Sequence, residues 1–139
     1  MSQKLMLVKY ELEDNIPVDE SSENLMSSYA PAELIDWAIK KRLISEMKIR
    51  ESSGEPADVP ISIIDDSKNS HLEIIFQHVE DELIRHIEGA HSHISGGVLI
   101  PKELDNHFST LHAWLEVRNT LKEKKEKYNN NCNIKLVVG

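Results

Sequence analysis

Hydrophobic and polar positions alternate along this chain with two different periods. Lys4–Leu12 (KLMLVKYEL) passes from an apolar run into alternation at Val8, Tyr10 and Leu12, which predicts a strand. A polar loop follows, punctuated by Pro17 and the Ser21-Ser22 pair, and Ser22–Met26 fits a short helical turn. Ala30–Arg42 predicts a helix. Pro31 suits its first position, where no helical carbonyl would use the missing N–H, and Leu34, Ile35, Ala38 and Ile39 form an apolar stripe with Trp37 at its edge. Between 43 and 65 two readings compete. Glu46–Arg50 alternates as a strand does, ready to pair with Pro60–Asp65 across the loop SSGEPADV. The same residues are mostly good helix formers, and a helix carried on to Arg50 is the slightly preferred reading.

Ser70–Ala90 gives the clearest helical pattern, with Leu72, Phe76, Val79, Leu83, Ile87 and Ala90 on one face. Asn69 or Ser70 can cap it, with Glu73 placed as in a capping box, and Gly89 and the run SHISGG close it. Val98–Ile100 reads as a short extended piece before Pro101. A last helix runs from Lys102 or Leu104 to about Lys127. Leu104, Phe108, Leu111, Leu115 and the stretch Arg118 to Leu121 are its expected buried side, its charged end KEKKEKY is expected in solvent, and Asn129–Asn131 breaks it. Ile134–Val138 (IKLVV) predicts a final strand. First and last strands often lie together in small α+β domains. The expectation is therefore one α+β domain over residues 1–139. Its sheet has three or four strands, the N- and C-terminal ones included, covered on one face by about three helices.

Length and composition narrow the function. The 139 residues suit a single domain. No apolar run reaches the roughly 18 residues of a membrane span, and the first residues are too charged for a secretory signal, so a cytoplasmic protein is expected. A single cysteine, Cys132, excludes an internal disulfide framework and a Cys-rich zinc site, and an inert thiol is its default role. The only adjacent glycines are Gly96-Gly97, which is no phosphate-cradling loop. Aromatics at 5% leave few platforms on which single-stranded nucleic acid would stack.

Charge adds more. The net charge is -8, from 16 basic and 24 acidic residues, and it is unevenly placed. Glu11 to Asp36 holds eight carboxylates and no Lys or Arg; the cations gather at Lys40-Lys41-Arg42 and Lys122–Lys127. Binding a phosphate backbone or an anionic membrane relies on Lys and Arg, so both partners are disfavoured. A basic protein surface would be steered in by these carboxylates. The plain alternative is that acidity only keeps the chain soluble.

Three groups of residues carry candidate chemistry. All seven histidines lie between His71 and His112. His78 with Glu82, and His112 with Glu116, each sit one helical turn apart, a spacing that suits zinc or a di-iron centre if two helices face one another. The segment Arg85–His91, an Arg followed by a polar residue and a His six positions after the Arg, resembles the loose motif of HEPN-type ribonucleases. That resemblance implies Arg85 and His91 as catalytic residues acting on a 2′-hydroxyl and phosphate. It covers seven residues; Gly89 inside it and strands at both termini depart from that all-helical family, and Arg118-Asn119 has no following His. The third group is acidic: Asp19, Glu20, Glu23, Glu33 and Asp36, with Tyr29 and Trp37 as candidate anchors.

The favoured reading is a non-enzymatic, cofactor-free module that binds a basic partner protein as a stoichiometric inhibitor, of the immunity, antitoxin or phage anti-defence type. The runner-up is a metal site or nuclease in the histidine-rich centre, His78 to His112. Homodimerisation through a sheet edge or the last helix is compatible with the sequence, which selects neither.

Overall fold

A computed structural model describes residues 3–13, 16–51, 57–65, 71–95, 101–129, 131 and 133–139. Five antiparallel strands form the main sheet: β1 (Gln3–Lys9), β4 (Glu23–Ala30), β5 (Ser45–Glu51), β6 (Ala57–Ile64) and β7 (Ile134–Val138). Their order is β4-β1-β7-β6-β5. Two short strands, β2 (Leu12–Glu13) and β3 (Ile16–Pro17), pair with each other, and a 3₁₀ turn follows at Asp19–Ser21. The helices are α1 (Ala32–Lys40), α2 (His71–Ser95) and α3 (Pro101–Glu126).

The fold is the expected α+β class with three helices. The first and last strands are neighbours, Leu5–Lys9 pairing antiparallel with Ile134–Val138. The sheet has one strand more than the upper expectation. That strand comes from residues 43–65, where the preferred helical reading fails and the hairpin holds: Ser45 to Glu51 pairs with Ala57 to Ile63. The helix stops because a Schellman turn closes it. Leu43 N–H donates to Ala38 O at 2.9 Å and Arg42 N–H to Ile39 O at 3.0 Å, with Arg42 left-handed at φ 57°. Glycine usually fills that position; here burial of Leu43 at the end of the turn offsets the cost.

Other expectations also need correction. Ser22–Met26 is not a helical turn; from Glu23 it is edge strand β4, paired along β1. Gly89 does not end α2, which runs through it to Ser95. The buried line on α2 is Leu72, Ile75, Val79 and Leu83, and Ile87 is exposed. Among the described residues of α3 the buried ones are Trp114, Val117, Thr120, Leu121 and Lys124; Leu121 is buried and Leu111 packs against the core as expected, whereas Phe108 and Leu115 are turned outward. The KEKKEKY end is not wholly solvated either: Lys124 is 1% exposed, its Nζ donating to Tyr128 O at 2.9 Å. The expected extended piece at Val98–Ile100, the caps Asn69 and Ser70, and Cys132 lie outside the described residues.

The sheet separates two apolar clusters through strand alternation. Leu5, Leu7, Ile64, Leu136 and Val138 join the three helices in the main core. On the other face Val8, Tyr10, Ile63 and Val137 form a smaller cluster. The β2–β3 excursion is tied to β5 by a Val18–Arg50 bridge and an Arg50–Glu13 ion pair at 3.4 Å. Among the described residues, no helix is long and apolar enough to cross a membrane.

Candidate functional site

α2 places polar residues beside the core on the flank that α1 covers. His78 lies one turn before Glu82, and His86 one turn after it, so all three follow one line along the helix. Trp37 of α1 closes on this line: its indole stacks on the His78 ring, centroids 3.7 Å apart. Trp114 of α3 meets the same two histidines, at 6.4 Å edge-on to His78 and 5.9 Å tilted to His86. The three helices thus converge on a Trp–His–Trp–His layer.

Charged groups continue from that layer toward solvent. Glu82 accepts from Arg85, Nη2 at 2.5 Å and Nε at 3.2 Å, and lies 3.7 Å from His86 Nε2. His86 Nε2 is buried and has no hydrogen-bond partner. The hydrogen bond from Arg85 to Glu82 raises the Arg85 pKa further above its ordinary value, helped by the Glu82 charge and, more weakly, by Glu33. Glu33 also lines a solvent-open cleft of about 360 Å³ with His86, Asn106, His107 and Thr110. Within this lining Thr110 Oγ1 donates to Asn106 O, one turn back along α3, at 2.9 Å.

The four expected metal ligands are not brought together. His78 is stacked under Trp37, whereas His112 and Glu116 bond each other at 3.0 Å with the His side chain 72% exposed. Among the described residues, no group of three or more His, Cys, Asp or Glu is arranged to hold a metal ion. Arg85 is committed to Glu82. His91 is six residues further on, about 120° away around the helix, and its side chain is outside those described.

The acidic residues form two groups rather than one. Glu33 and Asp36 are exposed on α1, beside the half-buried Trp37. Asp19, Glu20 and Glu23 are exposed on the turn that packs against β5 and on the start of β4. Asp19 faces Tyr10 on the second face of the sheet; burial first, then this carboxylate, raises the Tyr10 pKa. Tyr29 is exposed on edge strand β4, with Lys4 Nζ 5.1 Å from its ring centroid.

Sequence reasoning placed His86 and His107 in the histidine-rich centre without a role of their own, and missed Asn106, Thr110 and Trp114. The Glu82–His86 spacing equals the His78–Glu82 spacing, and only the packing of α1 on α2 separates them. No family model, curated protein or solved structure was found to match the chain.

Proposed function

We propose that the protein works by binding a basic protein through its acidic groups, of which α1 supplies one and the Asp19–Glu23 segment another. One observation carries this reading. Among the described residues, the Lys and Arg ion pairs join Arg50 to Glu13, Arg85 to Glu82, Arg118 to Glu80 and Lys125 to Glu73. Glu20, Glu23 and Asp36 are exposed and take no part in an ion pair among the described residues. Among the described residues these cations therefore neutralise other carboxylates and leave Glu20, Glu23 and Asp36 without a paired cation.

Such a surface accelerates encounter with a positive patch and disfavours acidic competitors. Its sharpest form is stoichiometric inhibition, in which carboxylates occupy a cleft that its owner uses for phosphate. α1 is suited to present them because the Trp37–His78 stack and the buried Leu34, Ile35 and Ala38 hold it against the core. Affinity capture from the native host at low and high salt tests the proposal. The expected result is one stoichiometric basic protein, released by salt and lost with the double variant Glu33→Lys, Asp36→Lys. Capture that ignores both salt and charge reversal overturns it.

A further inference from the structure

The cleft beside His86 differs from the acidic turn at Asp19–Glu23 in having walls. Its described lining comes from three helices: Glu33 from α1, His86 from α2, and Asn106, His107 and Thr110 from α3. The pairs Glu73–Lys125 and Glu80–Arg118 fix an antiparallel register between α2 and α3. Carried upward, that register sets His86 level with His112, within one turn of Thr110. The cleft therefore opens in the upper half of the α2–α3 hairpin, where the first turn of α1 meets both helices.

The chemistry of this lining is one-sided. Every side chain in it carries a hydrogen-bonding group. Among the described residues it holds no Lys or Arg, so Glu33 supplies its fixed charge. A carboxylate only accepts. Thr110 spends its proton on Asn106 O, so its oxygen meets an incoming group as an acceptor, and the Asn106 amide adds a carbonyl oxygen. The acceptors thus stand on two helices. Glu33 is close enough to Arg85 to raise its pKa, yet Arg85 donates to Glu82 through both Nε and Nη2. That pair neutralises itself and leaves the Glu33 charge to the cleft.

We propose that this cleft seats one arginine side chain of the basic partner. The inference rests on the binding role proposed above and names the contact that makes it. Charge selects the occupant: a cation is favoured against Glu33, and a phosphate or carboxylate is repelled. Shape selects among cations. A guanidinium is a planar fork of five donors with no acceptor, matched to acceptors spread over two helices, whereas an ammonium is a compact, strongly hydrated point charge. Size limits the guest. About 360 Å³ is at the small end of the roughly 300–1,000 Å³ of ligand sites, room for one side chain but not for a helix or strand. The cleft is open to solvent, so a side chain projecting from another surface can enter. The approach is also continuous with the acidic face of α1, since exposed Asp36 lies three residues after Glu33 and on the same side of the helix. Asp36 steers the partner in, and Glu33 receives it.

Nuclear magnetic resonance titration of the whole chain tests this, with N-acetyl-arginine amide as the probe up to about 50 mM. Saturable shifts are expected at the Asn106 side-chain amide and at the backbone signals of His107 and Thr110. N-acetyl-lysine amide should bind at least about fivefold more weakly. Glu33→Gln, at an exposed position, should weaken the arginine probe at least about tenfold with unchanged far-ultraviolet circular dichroism, and Glu20→Gln, in the other acidic group, should not. No saturable shift at these three residues, equal binding of the two probes, or an unaltered affinity in Glu33→Gln overturns the proposal. The arms separate the two readings. A salt-released basic partner captured by a protein whose cleft ignores the arginine probe leaves the binding role standing and overturns the arginine site. A cleft that takes the probe in a protein that captures nothing supports the arginine site and removes the protein partner.

Discussion

The indole of Trp37 lies flat on the imidazole of His78, with planes 4° from parallel. This contact joins α1 to α2. With nine residues, α1 is too short to persist without tertiary packing. His78→Ala should cost about 1 kcal/mol beyond its lost area, the usual worth of a ring pair. It should also shift tryptophan emission to the red as Trp37 gains water; Trp114, at 1% exposed, should contribute little. His78→Phe should restore both readings. Urea unfolding followed by emission measures the two together, and an unchanged spectrum in His78→Ala would show that the stack does not hold α1.

Gly89 sits within α2 with nothing inside 4 Å of where a Cβ would stand. A glycine in a helix interior costs roughly 0.5–1 kcal/mol relative to alanine through lost chain entropy. Gly89→Ala should therefore stabilise the upper hairpin by about that amount. Amide hydrogen exchange should show the gain in α2 near residue 89 and little change in the sheet. A loss of stability would mean that the chain leaves the helix at Gly89, as its sequence suggests.

Lys124 points inward at the end of α3 and donates to Tyr128 O at 2.9 Å and Asn131 O at 3.5 Å. The ammonium meets two carbonyls of the turn that follows α3, which also accept the Asn131 and Ile134 backbone N–H groups, at the end where the helix dipole favours a cation. Lys124→Met keeps most of the apolar volume and removes the donor. It should destabilise by about 1.5–3 kcal/mol, the range for hydrogen bonds to a charged group. An equilibrium denaturation series including the exposed Lys127→Met as control measures it. Equal stability of the two variants would show that Lys124 is an ordinary surface cation.

Lys124 also marks where the sequence stopped being legible. In KEKKEKY every residue looks solvated, and only the turn of the chain toward β7 decides which lysine is covered. The same holds for Phe108 and Leu115, which are apolar and helically spaced yet exposed, because α3 rolls to bury Trp114 and Val117. The strand IKLVV and the Leu34, Ile35, Ala38 part of the α1 stripe could be read directly, whereas Ile39, expected on the same stripe, is 57% exposed. Residues 45–51 could not, because good helix formers such as Glu46, Met47 and Lys48 were overruled by pairing with β6. The candidate site was half visible. The acidic residues of α1 stand out by composition, whereas His86 and Thr110 acquire meaning only from the cleft that three helices make.

Tyr10 is 4% exposed in the second apolar cluster, and burial together with Asp19 lifts its phenol above the ordinary value of 10.0. The sign of the consequence follows from linkage. The folded state holds the phenolic proton more tightly than the unfolded chain, so the contribution is full below about pH 10 and is lost as pH rises through the folded pKa. Stability should fall on the alkaline side, where the unfolded chain ionises Tyr10 first. Tyr10→Phe removes the titrating group and keeps the ring in the cluster, so its alkaline decline should be shallower. Absorbance titration should show one of the three tyrosines ionising late in the wild type, and thermal melts between about pH 8 and 11.5 should show the two proteins diverging only above about pH 10. Parallel alkaline declines would mean that Tyr10 reaches solvent and that the second face of the sheet is open around it.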